Sequence, residues 1–182
     1  MPTYLPANAG LQLSEAIAEA YASANVGDPV LLTLEFRHPS FVDEDGNATS
    51  AWVVNDYRDL VAFDEDSVER TFIGVPFKYV KPDQTDSGAP KAAQIELDNV
   101  SLEVSRLLML ARESDDPVEV VEREYLPSDL TAPHVLPVTV MELAAPAITV
   151  ETVSAAITFG NLTNRKYPAR TYTAEDFPAL AP

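Results

Sequence analysis

The chain has 182 residues, 46% of them hydrophobic and 23% charged, enough apolar material for a packed core and the length of one domain. Twelve Lys and Arg against 29 Asp and Glu leave a formal net charge of −17, which repels nucleic acid and anionic lipid. Cysteine is absent, so a disulfide framework, a thiolate metal site and a cysteine nucleophile are all excluded.

Residues Met1–Gly10 show neither the basic nor the apolar region of a signal peptide, and no apolar run approaches the ~20 residues of a membrane helix. No membrane anchor is expected, and the Asn-x-Ser/Thr triplets at Asn47, Asn99 and Asn161 read as chance matches. The first element is a helix over Leu11–Ala24. Its apolar positions Leu13, Ile17, Ala20, Tyr21 and Ala24 fall at helical spacing, with Ser14 as N-cap, Glu15 in the first turn and Asn25-Val-Gly27 as the stop. Next, Val30, Leu32, Leu34 and Phe36 alternate with Leu31, Thr33, Glu35 and Arg37, the period of a strand. Asp43-Glu-Asp-Gly-Asn47 supplies turn chemistry before a second strand, Ala51–Asn55.

A further run covers Arg70–Val80, followed by a long polar loop at 81–92 (KPDQTDSGAPKA). Ala93, Ile95 and Leu97 then alternate with Gln94, Glu96 and Asp98. The second helix spans Ser101–Glu113, with Val104, Leu107, Leu108 and Ala111 on one face, Asn99 or Ser101 as cap and Asp115-Asp-Pro117 as terminator. Strands follow at Pro117–Tyr125, Val135–Leu143 and Ile148–Phe159, the last a bent strand or a tight hairpin. Most strands succeed one another without helices between them, so the sheet should be mainly antiparallel. The expected architecture is mainly β, an antiparallel sandwich or barrel over residues 1–160 with two short flanking helices. Residues 161–182, with Tyr167, Tyr172, Phe177 and three prolines, form an extended C-terminal arm that packs its rings on something.

Signals for chemistry are sparse. The only histidines are His38, at a strand end before Pro39, and His134, in a loop; each is expected to be a hydrogen-bonded structural imidazole. No Gly-x-Ser-x-Gly, His-Glu-x-x-His or phosphate-loop pattern occurs. Asp43, Asp45 and Asn47 have the spacing of the first three ligands of a calcium loop, but the glycine stands at 46 instead of 48 and Val54 occupies the last ligand position. That stretch is expected to be a solvated turn, as are Asp64-Glu-Asp66 and Asp115-Asp116. No carboxylate pair is singled out for glycosidase chemistry, and no cofactor or metal is expected. Trp52, Tyr57, Tyr79, Tyr125, Tyr167 and Tyr172 are scattered, which favours packing over a sugar-binding platform.

Several stretches together resemble a family of minor tail or distal tail-tip proteins of long-tailed, non-contractile bacteriophages, commonly labelled domains of unknown function. They are LSEAIAEAYA at 13–22, LTLEFRHPSF at 32–41, IELDNV at 95–100, DPVEVVEREYL at 116–126, NRKYP at 164–168, Tyr172 and FPAL at 177–180. The resemblance is spread over most of the chain and contains no active-site signature. It implies a non-enzymatic virion protein with the tail-tube fold, an antiparallel sandwich or barrel with a helix on its flank. Copies would form a ring at the tail tip, between the tail-tube protein above and the hub proteins below, lining the channel through which DNA leaves without sequence-specific binding. Six copies would match a tube and three the components beneath it. Neighbour contacts are expected from Arg165, Lys166, Tyr167, Arg170, Tyr172 and Phe177 of the arm, and from Lys81 and Lys91 of the loop. The alternative is a monomeric β-sandwich that binds glycan or a receptor; a soluble hydrolase is a more distant third.

Overall fold

The computed structural model describes residues 12–23, 28–80, 93–98, 103–112, 114, 116–149 and 151–158. In chain order the elements are β1 (Gln12–Leu13), α1 (Glu15–Ser23), β2 (Leu31–Arg37), β3 (Ala51–Val54), β4 (Leu60–Phe63), β5 (Glu69–Gly74) and β6 (Phe77–Val80). They continue with β7 (Ala93–Asp98), α2 (Glu103–Ala111), β8 (Val118–Tyr125), β9 (Val135–Leu136), β10 (Thr139–Ile148) and β11 (Thr152–Thr158).

The protein is mainly β. Nine strands form one sheet in the order β4-β5-β3-β2-β8-β10-β11-β7-β6, and β1 with β9 makes a separate two-stranded piece. Every pairing is antiparallel except β3 with β5, which run parallel over Val53↔Ile73 and Val54↔Gly74. The sheet bends back on itself. Leu34 and Phe36 of β2, Val53 of β3 and Val120 of β8 share one buried cluster with Phe77 of β6 and Ile95 and Leu97 of β7, from the far end of the strand order. The Tyr79 hydroxyl of β6 also donates to Glu122 of β8 at 2.5 Å. One face of the sheet is thereby folded inward as a sandwich. Among the described residues no ladder joins the edge strands β4 and β6, so of the two expected forms the open sandwich is found and the closed barrel is not. Helix α2 lays Val104, Leu107, Leu108 and Ala111 onto this core, the face expected from its spacing.

The other face of the central strands is covered as well. The β4–β5 hairpin folds over it and packs Ala62 and Phe72 on Val54 and Tyr125, with Leu31, Trp52 and Leu60 around them. Strands β2 and β8 are consequently buried on both faces: Thr33, Glu35, Arg123 and Tyr125 are as enclosed as Leu34 and Val120.

Several sequence expectations change. The pattern at 60–63 was not read as a strand, because LVAF is short and follows a polar stretch. The run expected over Arg70–Val80 is two strands split at Val75-Pro76, since proline has no N–H for a ladder. Val135–Leu143 divides likewise at Pro137 into β9 and the start of β10. The region from Ile148 resolves as the hairpin: β10 ends at Ile148, and Thr149 and Thr152 close the turn into β11. The first helix begins at Glu15 rather than Leu11, because Gln12 and Leu13 pair in extended form with Leu136 and Val135. Ser14 caps it as expected, its Oγ accepting from the Ile17 N–H at 3.3 Å. Only Ile17 of that helix is buried; Tyr21 stays 54% exposed and instead donates its hydroxyl to Glu124. The 81–92 loop, the arm and the caps proposed for α2 lie outside the described residues.

Candidate functional site

All eight residues expected at neighbour contacts, Lys81, Lys91, Arg165, Lys166, Tyr167, Arg170, Tyr172 and Phe177, lie outside the described residues. The chemistry that can be built from geometry therefore belongs to the sandwich body.

Both histidines are fastened by their ring nitrogens. His38 Nε2 lies 3.1 Å from the Asp116 carbonyl, Nδ1 accepts from the Ser40 N–H at 3.0 Å, and the ring sits 5.5 Å from that of Phe41. His134 Nε2 donates to the Asp129 carbonyl at 3.1 Å, which leaves Nδ1 to accept from the Ser14 hydroxyl at 2.8 Å. That pair has the atoms of a serine–histidine dyad. However, Ser14 Oγ also caps α1, and the imidazole is 8% exposed. It joins α1 to the loop before β9, as the sequence reading expects of a structural imidazole.

The Asp43–Asn47 turn is held from within. Asp43 Oδ1 accepts from the N–H groups of Asp45 and Asn47, and Gly46 adopts the left-handed φ of 83° that such a turn needs. The N–H of Asn47 foremost, then those of Asp45 and Gly46, hold the Asp43 carboxyl below its ordinary value. Among the described residues there is no group of three His, Asp or Glu side chains able to hold a metal ion.

The largest departure from expectation is at Asp64 and Glu65, which are ion-paired instead of solvated, while Asp66 of the same turn is exposed as expected. Asp64 is 4% exposed; it accepts from the N–H groups of Asp66 and Val68 and pairs with Arg70 at 2.9 Å. Glu65 reaches down to the fully enclosed Arg123, accepting from Nε at 2.6 Å and Nη2 at 2.8 Å. Glu35 closes the other side, 2.9 Å from Arg123 and 2.6 Å from Arg37. Two cations approach the Trp52 ring, the guanidinium of Arg70 4.9 Å and that of Arg123 5.2 Å from its centroid. Burial by itself would raise the carboxyls of Asp64 and Glu65. The Val68 N–H and Arg70 outweigh it for the first and Arg123 for the second, so both titrate below their ordinary values. Arg123 Nη1 has no hydrogen-bond partner and is served only by the indole face. This cluster ties the hairpin to the sheet, with Asp64, Glu65 and Glu35 all engaged by arginines. The sequence carried one signal of it, namely that Glu122, Arg123 and Glu124 sit within a strand flanked by apolar residues on both sides.

Nor do the aromatic residues among those described make a platform. Tyr125 is buried with its hydroxyl on the Phe63 carbonyl, Tyr79 is turned inward to Glu122, and Trp52 lies against Arg70 and Arg123; Tyr57 stands exposed by itself.

What the body offers outward is surface. The outer face of the β10–β11–β7 half carries Glu142, Ser154, Ala156, Gln94, Glu96 and Asp98, with Glu142 directly opposite Glu119 of β8. A second opening, an apolar groove of about 530 Å³, lies between α2 and the end of β10, with Met109, Arg112, Leu143, Pro146 and Ile148 among its walls.

A family model described as a domain of unknown function (DUF1833) matches residues 16–172. The chain belongs to this family. The matched span takes in all of α1 but its first residue and every strand of the nine-stranded sheet, and it runs past residue 160. Among curated proteins, none matches the chain. The described part of this DUF1833 member is a sandwich body with an ionic cluster in its interior.

Proposed function

We propose that this DUF1833 protein is a non-enzymatic structural component of a bacteriophage tail tip, a virion protein that forms a homo-oligomeric ring joining the tail tube to the hub. The observation that carries the reading is the open sheet: among the described residues, β4 and β6 are two unlike edges of one nine-stranded sheet. Proteins usually shield such edges or pair them, and unlike surfaces that pair head to tail form a ring where the rotation between copies closes. The acidic outer face fits a channel wall, since Glu96, Asp98, Glu119 and Glu142 repel a passing polyanion instead of trapping it. The resemblance of the stretches at 13–22, 32–41, 95–100 and 116–126 to distal tail proteins supplies the biological setting.

The test is the mass of purified protein by light scattering across concentration, with electron microscopy of the largest species. Annular particles are expected, six copies for a tube-like ring or three for a tip component. A chain that stays monomeric at every concentration and is retained on a glycan array would replace the ring with the binding module.

A further inference from the structure

We propose that the groove beside α2 is a self-association surface that receives the outer side of the β4–β5 hairpin from a second copy of this chain. The inference deepens the ring reading above and rests on it.

On α2, Met109 is 60% and Leu110 38% exposed, an unusual cost for a nine-residue helix whose opposite face already supplies the core. Exposed Arg106 and Arg112 bracket this apolar strip. In a chain with 29 carboxylates and 12 cations, Arg112 makes no side-chain hydrogen bond or ion pair among the described residues. Among the described residues lining the groove the one carboxylate, Asp116, is turned toward Ser114, 3.4 Å from its hydroxyl. The opposite wall is rigid and apolar, because Pro146 sits where the β10–β11 register shifts between Ala144 and Ala147.

The hairpin presents the complement. Its inner side, Leu60, Ala62 and Phe72, is spent on the second core. Its outer side displays Val61 at 50%, Phe63 at 37% and Val68 at 42% exposure. Asp66 and Glu69, both exposed, flank these apolar residues, so an apolar strip edged by anions faces one edged by cations.

The hairpin covers the sheet face that carries Thr33, Arg123 and Tyr125, whereas α2 packs on the face that carries Leu34, Phe36 and Val120. The two surfaces thus lie on opposite sides of the central sheet. A contact between them cannot be made twofold by one pair of copies; it is heterologous, leaves one surface open at each end, and repeats until a ring closes.

The cysteine-free chain allows a direct test. Asp66→Cys and Met109→Cys, made separately in the full chain, are mixed and oxidised, with Gln94→Cys on the outer sheet face as the control partner; all three sites are exposed or near the surface, and the Trp52 fluorescence of each variant checks folding. Heterodisulfide dimers are expected from the mixture of the first two and not with the control. In parallel, Arg112→Glu should weaken self-association at least ~10-fold by light scattering, the effect of about 1.4 kcal/mol, and Glu69→Arg in the same chain should restore it. Oligomers that persist in Arg112→Glu without the cross-link would overturn this surface and leave the ring reading standing. A monomer without the cross-link at any concentration would overturn both.

Discussion

Glu65 and Arg123, separated by 58 positions in the sequence, meet through two hydrogen bonds of 2.6 and 2.8 Å beneath the β4–β5 hairpin. The arginine side chain is completely enclosed and the carboxylate side chain 24% exposed, so the pair works in a medium where an unpaired charge is expensive. Removal of Arg123 would leave Glu35, 3% exposed, with Arg37 as its remaining cation. Arg123→Ala is expected to destabilise the fold by about 3–5 kcal/mol, read from urea unfolding. Arg123→Lys should recover only part of that, because an ammonium cannot form the two-pronged contact or stack on Trp52. A loss under 1 kcal/mol for the alanine variant would mean that the cluster is not what closes the hairpin.

Acid should loosen the same clasp. Asp64 and Glu65 titrate below their ordinary values of 3.8 and 4.5. A depressed folded-state pKa contributes stability that is present above the unfolded value and lost as pH falls through the folded one. Stability is therefore expected to decline from about pH 4 downward. Glu65→Gln should be less stable at neutral pH and show a flatter acid limb. Trp52, the one tryptophan, lies against Arg70 and Arg123 of the cluster and reports the change. An unchanged acid limb in the glutamine variant would assign the sensitivity elsewhere.

Gly74 ends β5 where the chain passes the turn before β4. A Cβ there would lie 2.7–2.8 Å from backbone atoms of Arg58, which cannot give way as a flexible side chain would. Gly74→Ala should cost about 1–3 kcal/mol and shift the hairpin, visible as altered Trp52 emission. Gly46 is different, since the space around it is open and only its φ of 83° resists a side chain. Gly46→Ala should cost roughly 1 kcal/mol with no change in emission.

Ser14 both caps α1 and donates to His134 Nδ1 at 2.8 Å. Since Ile17 is the one buried residue of that helix, little apolar packing compensates for loss of the cap. Ser14→Ala should cost about 1 kcal/mol and speed amide exchange selectively in residues 15–23. Uniform exchange across the sheet as well would show that the helix is more tightly coupled to the body than its exposure indicates.

Tyr79 and Tyr125 should not ionise before the protein unfolds in alkali. Burial, reinforced by the hydrogen bond to Glu122, pushes the Tyr79 hydroxyl well above its ordinary value, and burial does the same for Tyr125 against the pull of Arg123. Phenolate absorbance should therefore appear in two stages. Tyr79→Phe should remove amplitude from the second stage only.

Much of the architecture was legible in the sequence because it is local. The alternation in Leu31–Arg37, Ala93–Asp98 and Val118–Tyr125 is a backbone period of two, the spacing of Val104, Leu107, Leu108 and Ala111 is a helical face, and Ser14 and Gly46 act on their immediate neighbours. What the tertiary structure decided is which faces are covered. The period assigns Glu35 and Arg123 to one side of their strands, but a charged residue on an alternating strand reads as solvated unless something folds over it. The cover is a hairpin one of whose strands, Leu60–Phe63, is too short to show a period, brought there by a two-pair parallel contact with β3. For the same reason Asp64 and Glu65 read as turn charges and proved to be partners of Arg70 and of the enclosed Arg123. The outward surfaces follow the same division: the sequence shows that Met109, Leu110, Val61 and Phe63 are apolar, and only the tertiary structure, by placing hairpin and helix on opposite faces of one sheet, leaves them exposed.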